Sequence, residues 1–167
     1  DILALADDPL ATLDVATPVN ANGAAIDGWE VAVQHFFGDS GFGVQANATF
    51  VDGDVAFDVG DTTGAAQFAL TVLSDSANLV LIYEKDAFNA RVTYNWRDQF
   101  LDNANVGGNE PQHTESYEQV DFSVGYNIND DWSVSLEGIN VLEQDKRQFG
   151  RTQRQLTNLQ IQGARYS

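Results

Sequence analysis

The sequence predicts an all-β chain: antiparallel, up-and-down strands of a transmembrane β-barrel. Three observations carry this. Apolar and polar residues alternate with period two from residue 28 onward. The alternating runs reach about 10–13 residues, against ~5–6 in an ordinary soluble sheet and ~9–11 for a tilted strand that crosses a bilayer. The connections between runs are alternately short and long, as the turns and loops on the two sides of a membrane barrel are. A soluble β-sandwich also alternates, its apolar face meeting a second sheet, and stands as the competing reading.

The elements follow in order. Residues 1–27, rich in Ala, Asp, Asn and Pro, read as a long loop or N-terminal arm, and residues 28–167 as the strands. In "GWEVAVQHFF", Trp29, Val31, Val33, His35 and Phe37 share one face. In "GFGVQANATFVDGD", Phe42, Val44, Ala46, Ala48 and Phe50 oppose Gly43, Gln45, Asn47 and Thr49. "SANLVLIYEKD" is apolar on both faces until Glu84. "AFNARVTYNWRDQF" alternates most cleanly, with Phe88, Ala90, Val92, Tyr94 and Trp96 against Asn89, Arg91, Thr93, Asn95 and Arg97. "SYEQVDFSVGYNI" and "DWSVSLEGINVL" continue the pattern, and a last strand begins near "LQIQGARYS". No helix is convincing: "DKRQFGRTQRQLTNLQ" has room for one turn but lacks an apolar stripe.

Short connections lie at "GDSG", "EKDAF" and "NINDD", and long ones at about residues 54–75, 99–116 and 143–159. Aromatics gather at two levels. Phe36, Phe37, Phe42, Phe88, Tyr126 and Trp132 fall near the short turns, and Trp29, Phe50, Trp96 and Tyr117 towards the long loops. Eight steps from Trp29 to Phe37 span ~26 Å at ~3.3 Å per residue. Tilted, that matches an apolar band of ~25 Å edged by aromatic girdles.

Composition excludes several functions. The formal charge is −17, from 25 acidic and 8 basic residues, so nucleic acid and anionic headgroups are repelled. The aromatics beside Arg97 in "YNWRDQF" are therefore not a nucleic-acid platform. Cysteine is absent, which removes disulfides and thiolate chemistry. Methionine is absent too, so Asp1 follows a cleavage or the sequence is an excerpt. No apolar run approaches the ~20 residues of a membrane helix.

Candidate sites are few. "GDSG" raises a serine nucleophile at Ser40, but a nucleophile needs a base within ~2.6–3.2 Å. His35 lies on a strand leading away, and His113 falls in a long loop, so a turn is the expected role. Asp52, Asp54, Asp58 and Asp61 in "VDGDVAFDVGD" form a candidate calcium set, against the plainer reading of solvated loop acidity. Arg91, Arg97, Asp121 and Glu137 fall on polar strand faces, which in a barrel face the lumen. They either line a substrate path or form an ion-pair ladder between neighbouring strands. Arg147, Arg151 and Arg154 in the last long loop either attract an anionic ligand or pair with the acidic loops. Asn47-Ala48-Thr49 fits a glycan acceptor but lies inside a strand. No cofactor and no catalytic residue is indicated.

Three hairpins also resemble one family: "GWEVAVQHFFGDSGFGVQANATFVDGD", "DSANLVLIYEKDAFNARVTYNWRDQFL" and "YEQVDFSVGYNINDDWSVSLEGINVLEQDKRQFGR". Together with "GARY", they are similar to the C-terminal part of the barrel of TonB-dependent receptors. The resemblance implies an outer-membrane barrel of 22 strands, closed by an N-terminal plug, in a Gram-negative bacterium. Its expected partners are outer-membrane lipid, a small-molecule nutrient (chelated iron, vitamin B12 or an oligosaccharide) and TonB, reached through an N-terminal region. This sequence carries no plug, no energy-coupling box and no terminal aromatic after Tyr166-Ser167, and only about seven strands. The expectation is therefore a portion of a longer receptor, or a released fragment whose open strand edges self-associate into a β-rich assembly or fibre.

Overall fold

A computed structural model describes residues 23–167. Most of the expected N-terminal arm, residues 1–22, lies outside the described residues. The strands are β1 (Ile26–Phe36), β2 (Phe42–Gly53), β3 (Ser76–Lys85), β4 (Phe88–Arg97), β5 (Phe100–Asn103), β6 (Gln112–Thr114), β7 (Tyr117–Asn127), β8 (Ser133–Ile139), β9 (Lys146–Phe149), β10 (Leu156–Gln160) and β11 (Arg165–Tyr166). Seven of them form one antiparallel sheet in the order β1-β2-β3-β4-β7-β8-β11. The expected up-and-down sheet of about seven strands is present, and it is open rather than closed.

Register decides which residues share a face. Across β1 to β4, Val31 pairs with Ala48, Ala48 with Ala77, and Ala77 with Trp96. Nearer the short turns, Phe42 pairs with Tyr83, Tyr83 with Ala90, and Ala90 with Val124. Val124 in turn opposes Leu136. Every apolar alternation thus lands on one surface. The other surface carries Asn47, Asn78, Asn95 and Gln119 in one continuous row of paired positions. A single-residue slip in any pairing would invert that strand, so the two surfaces fix the register.

Among the described residues nothing covers the apolar surface. Trp29 is 80 % exposed, Val92 42 % and Val134 58 %, and Val44 and Val124 are half-buried. A sandwich would have sealed these residues under a second sheet. Among the described residues the buried large apolar side chains are Val80 and Phe149, with Pro111 buried in a loop, and Val80 lies on the polar surface of the sheet.

The two levels of aromatics survive with two corrections. Phe36 pairs with Gly43 on the polar surface, where its ring occupies the space a Gly43 side chain would fill. Tyr117 pairs with Arg97, also on the polar surface, and its hydroxyl donates to the Gln119 and Gln162 side chains. Alternation sorts faces only inside a strand, and both residues sit at strand ends.

The long loops hold what the sequence conceals. β5 and β6 lie in the 99–116 connection, and β9 and β10 in the last one, as a second sheet ordered β10-β9-β6-β5. The segment expected to hold at most a turn of helix is therefore β-structure. These strands have 3 to 5 residues, and bulges break two of the pairings. β8 also ends earlier than "GINVL" suggests. Asn140 adopts φ 54°, a left-handed conformation that Asn tolerates, and turns the chain out of the sheet. The final strand of the main sheet starts at Arg165, since Leu159 and Gln160 belong to β10.

Candidate functional site

Three of the four expected lumen residues converge on the polar surface. Arg91, Asp121 and Glu137 line one shallow hollow of about 220 Å³ with Thr93 and Ser123. The reason is register. Arg91 pairs with Ser123, and Ser123 with Glu137, so the guanidinium and the carboxylate flank one serine on the middle strand. That geometry also explains why no ladder of ion pairs forms here. Arg91 and Glu137 sit two strands apart, ~10 Å at ~4.8 Å per strand, so they are not direct cross-strand neighbours. Among the described residues the two ion pairs are Arg147–Glu115 and Arg151–Glu110, both in the loops.

Asp121 is the anchored member. Its carboxylate accepts from Gln119 Nε2 at 2.7 and 2.9 Å, and its Oδ1 accepts from the Asn140 backbone at 2.8 Å. Asn140 in turn donates to the Gln162 carbonyl at 2.8 Å. The hollow therefore has one carboxylate fixed by neighbours, with Arg91 and Glu137 exposed beside it. Such a surface offers donors and acceptors to a hydrophilic solute but no aligned nucleophile and base.

Arg97 shares the polar surface but serves a different place. Its Nε donates to Ser74 Oγ at 2.7 Å, its Nη2 donates to the Val72 carbonyl at 2.8 Å, and its guanidinium stacks 4.0 Å over the Phe100 ring. Val72 is held at φ 66°, an unfavourable conformation for a β-branched residue. Its N–H donates to the Leu101 carbonyl at 2.7 Å. Arg97 thus ties the 54–75 loop to β4 and β5.

The other long-loop contacts centre on Arg151. Its Nε donates to both Glu110 carboxylate oxygens at 3.0 and 3.2 Å, and Nη1 to the Asp61 and Val59 carbonyls at 2.5 and 3.2 Å. One side chain, 15 % exposed, joins three loops that are separated by up to 92 residues in sequence. Arg147 pairs with Glu115, and its Nη2 donates to the Gln153 carbonyl at 2.8 Å. Of the two readings of the loop arginines, pairing with acidic loops describes Arg147 and Arg151. Their particular partners, Glu115 and Glu110, could not be found from the sequence, because they are remote and lie in aperiodic segments. A cleft of about 280 Å³ opens between the loops, lined by Phe57, Leu70, Leu73, Phe100 and His113. His113 stacks on Phe149 at 5.1 Å and shares a 2.9 Å hydrogen bond with the Gly150 carbonyl.

The four aspartates of the calcium candidate are not gathered. Asp54 Oδ1 accepts from the Ala25 N–H, Asp52 from Gly53, Asp58 from Gly60 and Asp61 from Thr63, each closing its own turn or strand end. Among the described residues no three acidic or histidine side chains converge on a metal-sized space. The Asp61 carboxyl is held below its ordinary value of 3.8, first by the Thr63 backbone N–H and then by the Thr63 hydroxyl. Ser40 belongs to the short turn Gly38–Ser40, and its Oγ accepts from the Phe42 N–H at 3.1 Å. His35 instead packs edge-on against Phe37 at 4.7 Å. The "GDSG" run is a turn.

The β-barrel of the TonB-dependent receptor-like family matches residues 2–141, and the chain belongs to that family. No curated protein and no solved structure matches it. The match covers the sheet from β1 to β8. Members of this family are outer-membrane receptors and transporters rather than enzymes.

Proposed function

We propose that the chain forms part of the wall of an outer-membrane receptor that takes up a scarce nutrient, with energy supplied through TonB. The observation that carries this reading is the sheet's asymmetry: one surface mainly apolar and, among the described residues, uncovered, the other polar and hollowed at Arg91, Asp121 and Glu137. Lipid covers the first surface and the lumen wets the second. The loop sheet and its cleft stand at the mouth on the extracellular side, where the nutrient is first held. Arg91 and Glu137 then offer alternate charged contacts to a hydrophilic solute moving along the wall.

Single cysteines test this in the full receptor within outer membranes. A membrane-impermeant maleimide should modify cysteines at Ser123 and Glu137 and spare those at Val92 and Val134. Equal labelling of the Val92 and Val134 positions from water would overturn the reading.

A second reading rests on the edge of β1. Its 11 residues are exposed along their whole length and, among the described residues, pair on one side only. Such an edge recruits another strand. Within a receptor the partner is the preceding barrel strand; in a free fragment it is a second copy, giving a β-rich assembly. Proline placed at Val31 and Val33 separates the two: it blocks fibre growth if copies pair there, and blocks barrel assembly if the receptor does.

A further inference from the structure

We propose that the apolar surface carries a built site for one membrane phospholipid with a zwitterionic, phosphate-and-ammonium headgroup. This rests on the reading of that surface as lipid-facing. The surface is not uniform. Near the short turns a hollow of about 670 Å³ lies across β2, β3 and β4, lined chiefly by Phe37, Phe42, Val44, Leu81, Tyr83 and Val92. Its floor is Ala90, a small residue in a row that otherwise reads Phe42, Tyr83 and Val124. Phe42 and Tyr83 line it 4.6 Å apart, and Phe88, 5.7 Å from Tyr83, carries the run of rings on towards the short turn. The volume falls within the ~300–1,000 Å³ of ordinary ligand clefts, and the lining suits an acyl chain.

The headgroup chemistry lies just beyond the hollow, towards the short turns. Lys85 follows Tyr83 on the same face and pairs with Phe88. Of the eight Lys and Arg residues, it alone has a register position on the apolar surface of the main sheet. Its Cβ lies against the Gly38–Gly41 turn, where a side chain on Gly41 would come within 2.8 Å of it. Ser40 of that turn lines the hollow and accepts a hydrogen bond from Phe42, which leaves its hydroxyl proton to donate. Among the described residues Lys85 has no ion-pair partner. A lysine at the apolar boundary extends its ammonium towards the headgroup level, where a phosphate meets it. Glu84 and Asp86 flank Lys85 in sequence, and Asp39 stands in the adjacent turn. That arrangement opposes a headgroup of net negative charge and suits one whose phosphate is followed by an ammonium.

The test is native mass spectrometry of the full receptor, extracted in mild detergent and offered phosphoethanolamine and phosphoglycerol lipids at equal concentration. The wild type should retain the phosphoethanolamine lipid in preference. Ala90→Leu fills the floor and should abolish retention, and Lys85→Gln should lower it about fivefold, as loss of one interfacial cation does. Ala46→Leu, on the same surface outside the hollow, should leave retention unchanged. Equal retention by wild type and Ala90→Leu, or equal retention of the two lipids, overturns the site. The proposed receptor role has its separate failure mode in the maleimide labelling of Val92 and Val134.

Discussion

The two sheets of this molecule are built from the same alternating chemistry but solve opposite problems. The seven-stranded sheet is held by long backbone ladders and leaves its apolar residues in the open. The four-stranded loop sheet has short ladders and instead buries side chains: Phe149 is 3 % exposed, Thr114 3 % and Gln148 6 %. Gln148 Nε2 donates to Thr114 Oγ1 at 3.1 Å and to Asp102 at 3.0 Å, and its Oε1 accepts from Asn158 at 2.9 Å. A sheet bathed by lipid needs no core of its own, because its solvent is apolar. A sheet in water must make one, and the polar groups it buries must then find partners. The difference teaches where side-chain specificity resides: in the loops, while the wall tolerates any apolar residue that fits.

The largest effect should come from reversing the wall's preference. Val92→Arg, in the middle of β4, should cost about 2–4 kcal/mol in urea unfolding of the full receptor in vesicles, as cations at the bilayer midplane do. Ser123→Arg on the opposite surface should cost little by the same measurement. If both cost the same, the two surfaces are not differently solvated. A smaller effect is expected from Arg151→Ala, which strands the Glu110 carboxylate and the Asp61 and Val59 carbonyls. Hydrogen bonds to a charged group contribute ~1.5–3 kcal/mol, so amide exchange should quicken around residues 59–64 and 107–111 and remain unchanged in β2 to β4. The smallest concerns Asp61, whose depressed value means its turn is supported fully above pH 3.8. That support is lost as pH falls through the lower folded value, because protonation removes the charge the Thr63 N–H binds. Thr63 amide exchange should rise only on that acid side, and Asp61→Asn should remove the pH dependence.

Much of the wall was legible because period two survives wherever a strand has one wet and one dry surface. "AFNARVTYNWR" gives β4 and its two faces outright, and the polar positions Arg91, Asp121 and Glu137 follow from counting in twos. Their convergence was not legible, since it depends on Ser123 bringing β4 and β8 into one row. Arg97 was sorted to the right surface, yet its partners Ser74 and Val72 lie in a loop without periodicity. The loop sheet escaped altogether. Its strands are too short for alternation to register, and two of the pairings are bulged. Arg151 joins residues 41 and 90 positions away, a distance that no local pattern encodes.

Depth-resolved quenching of Trp29, Trp96 and Trp132 tests the central claim most directly, because Trp29 and Trp96 hold register positions on the apolar surface towards the long loops and the exposed Trp132 stands just before β8 at the short-turn margin. In the full receptor each is read by difference against its Trp→Phe variant. Lipids brominated close to the headgroup should quench all three strongly, and acrylamide in water only weakly. Quenching of the three by acrylamide alone, with no response to brominated lipid, would mean that water or protein, not a bilayer, meets this surface.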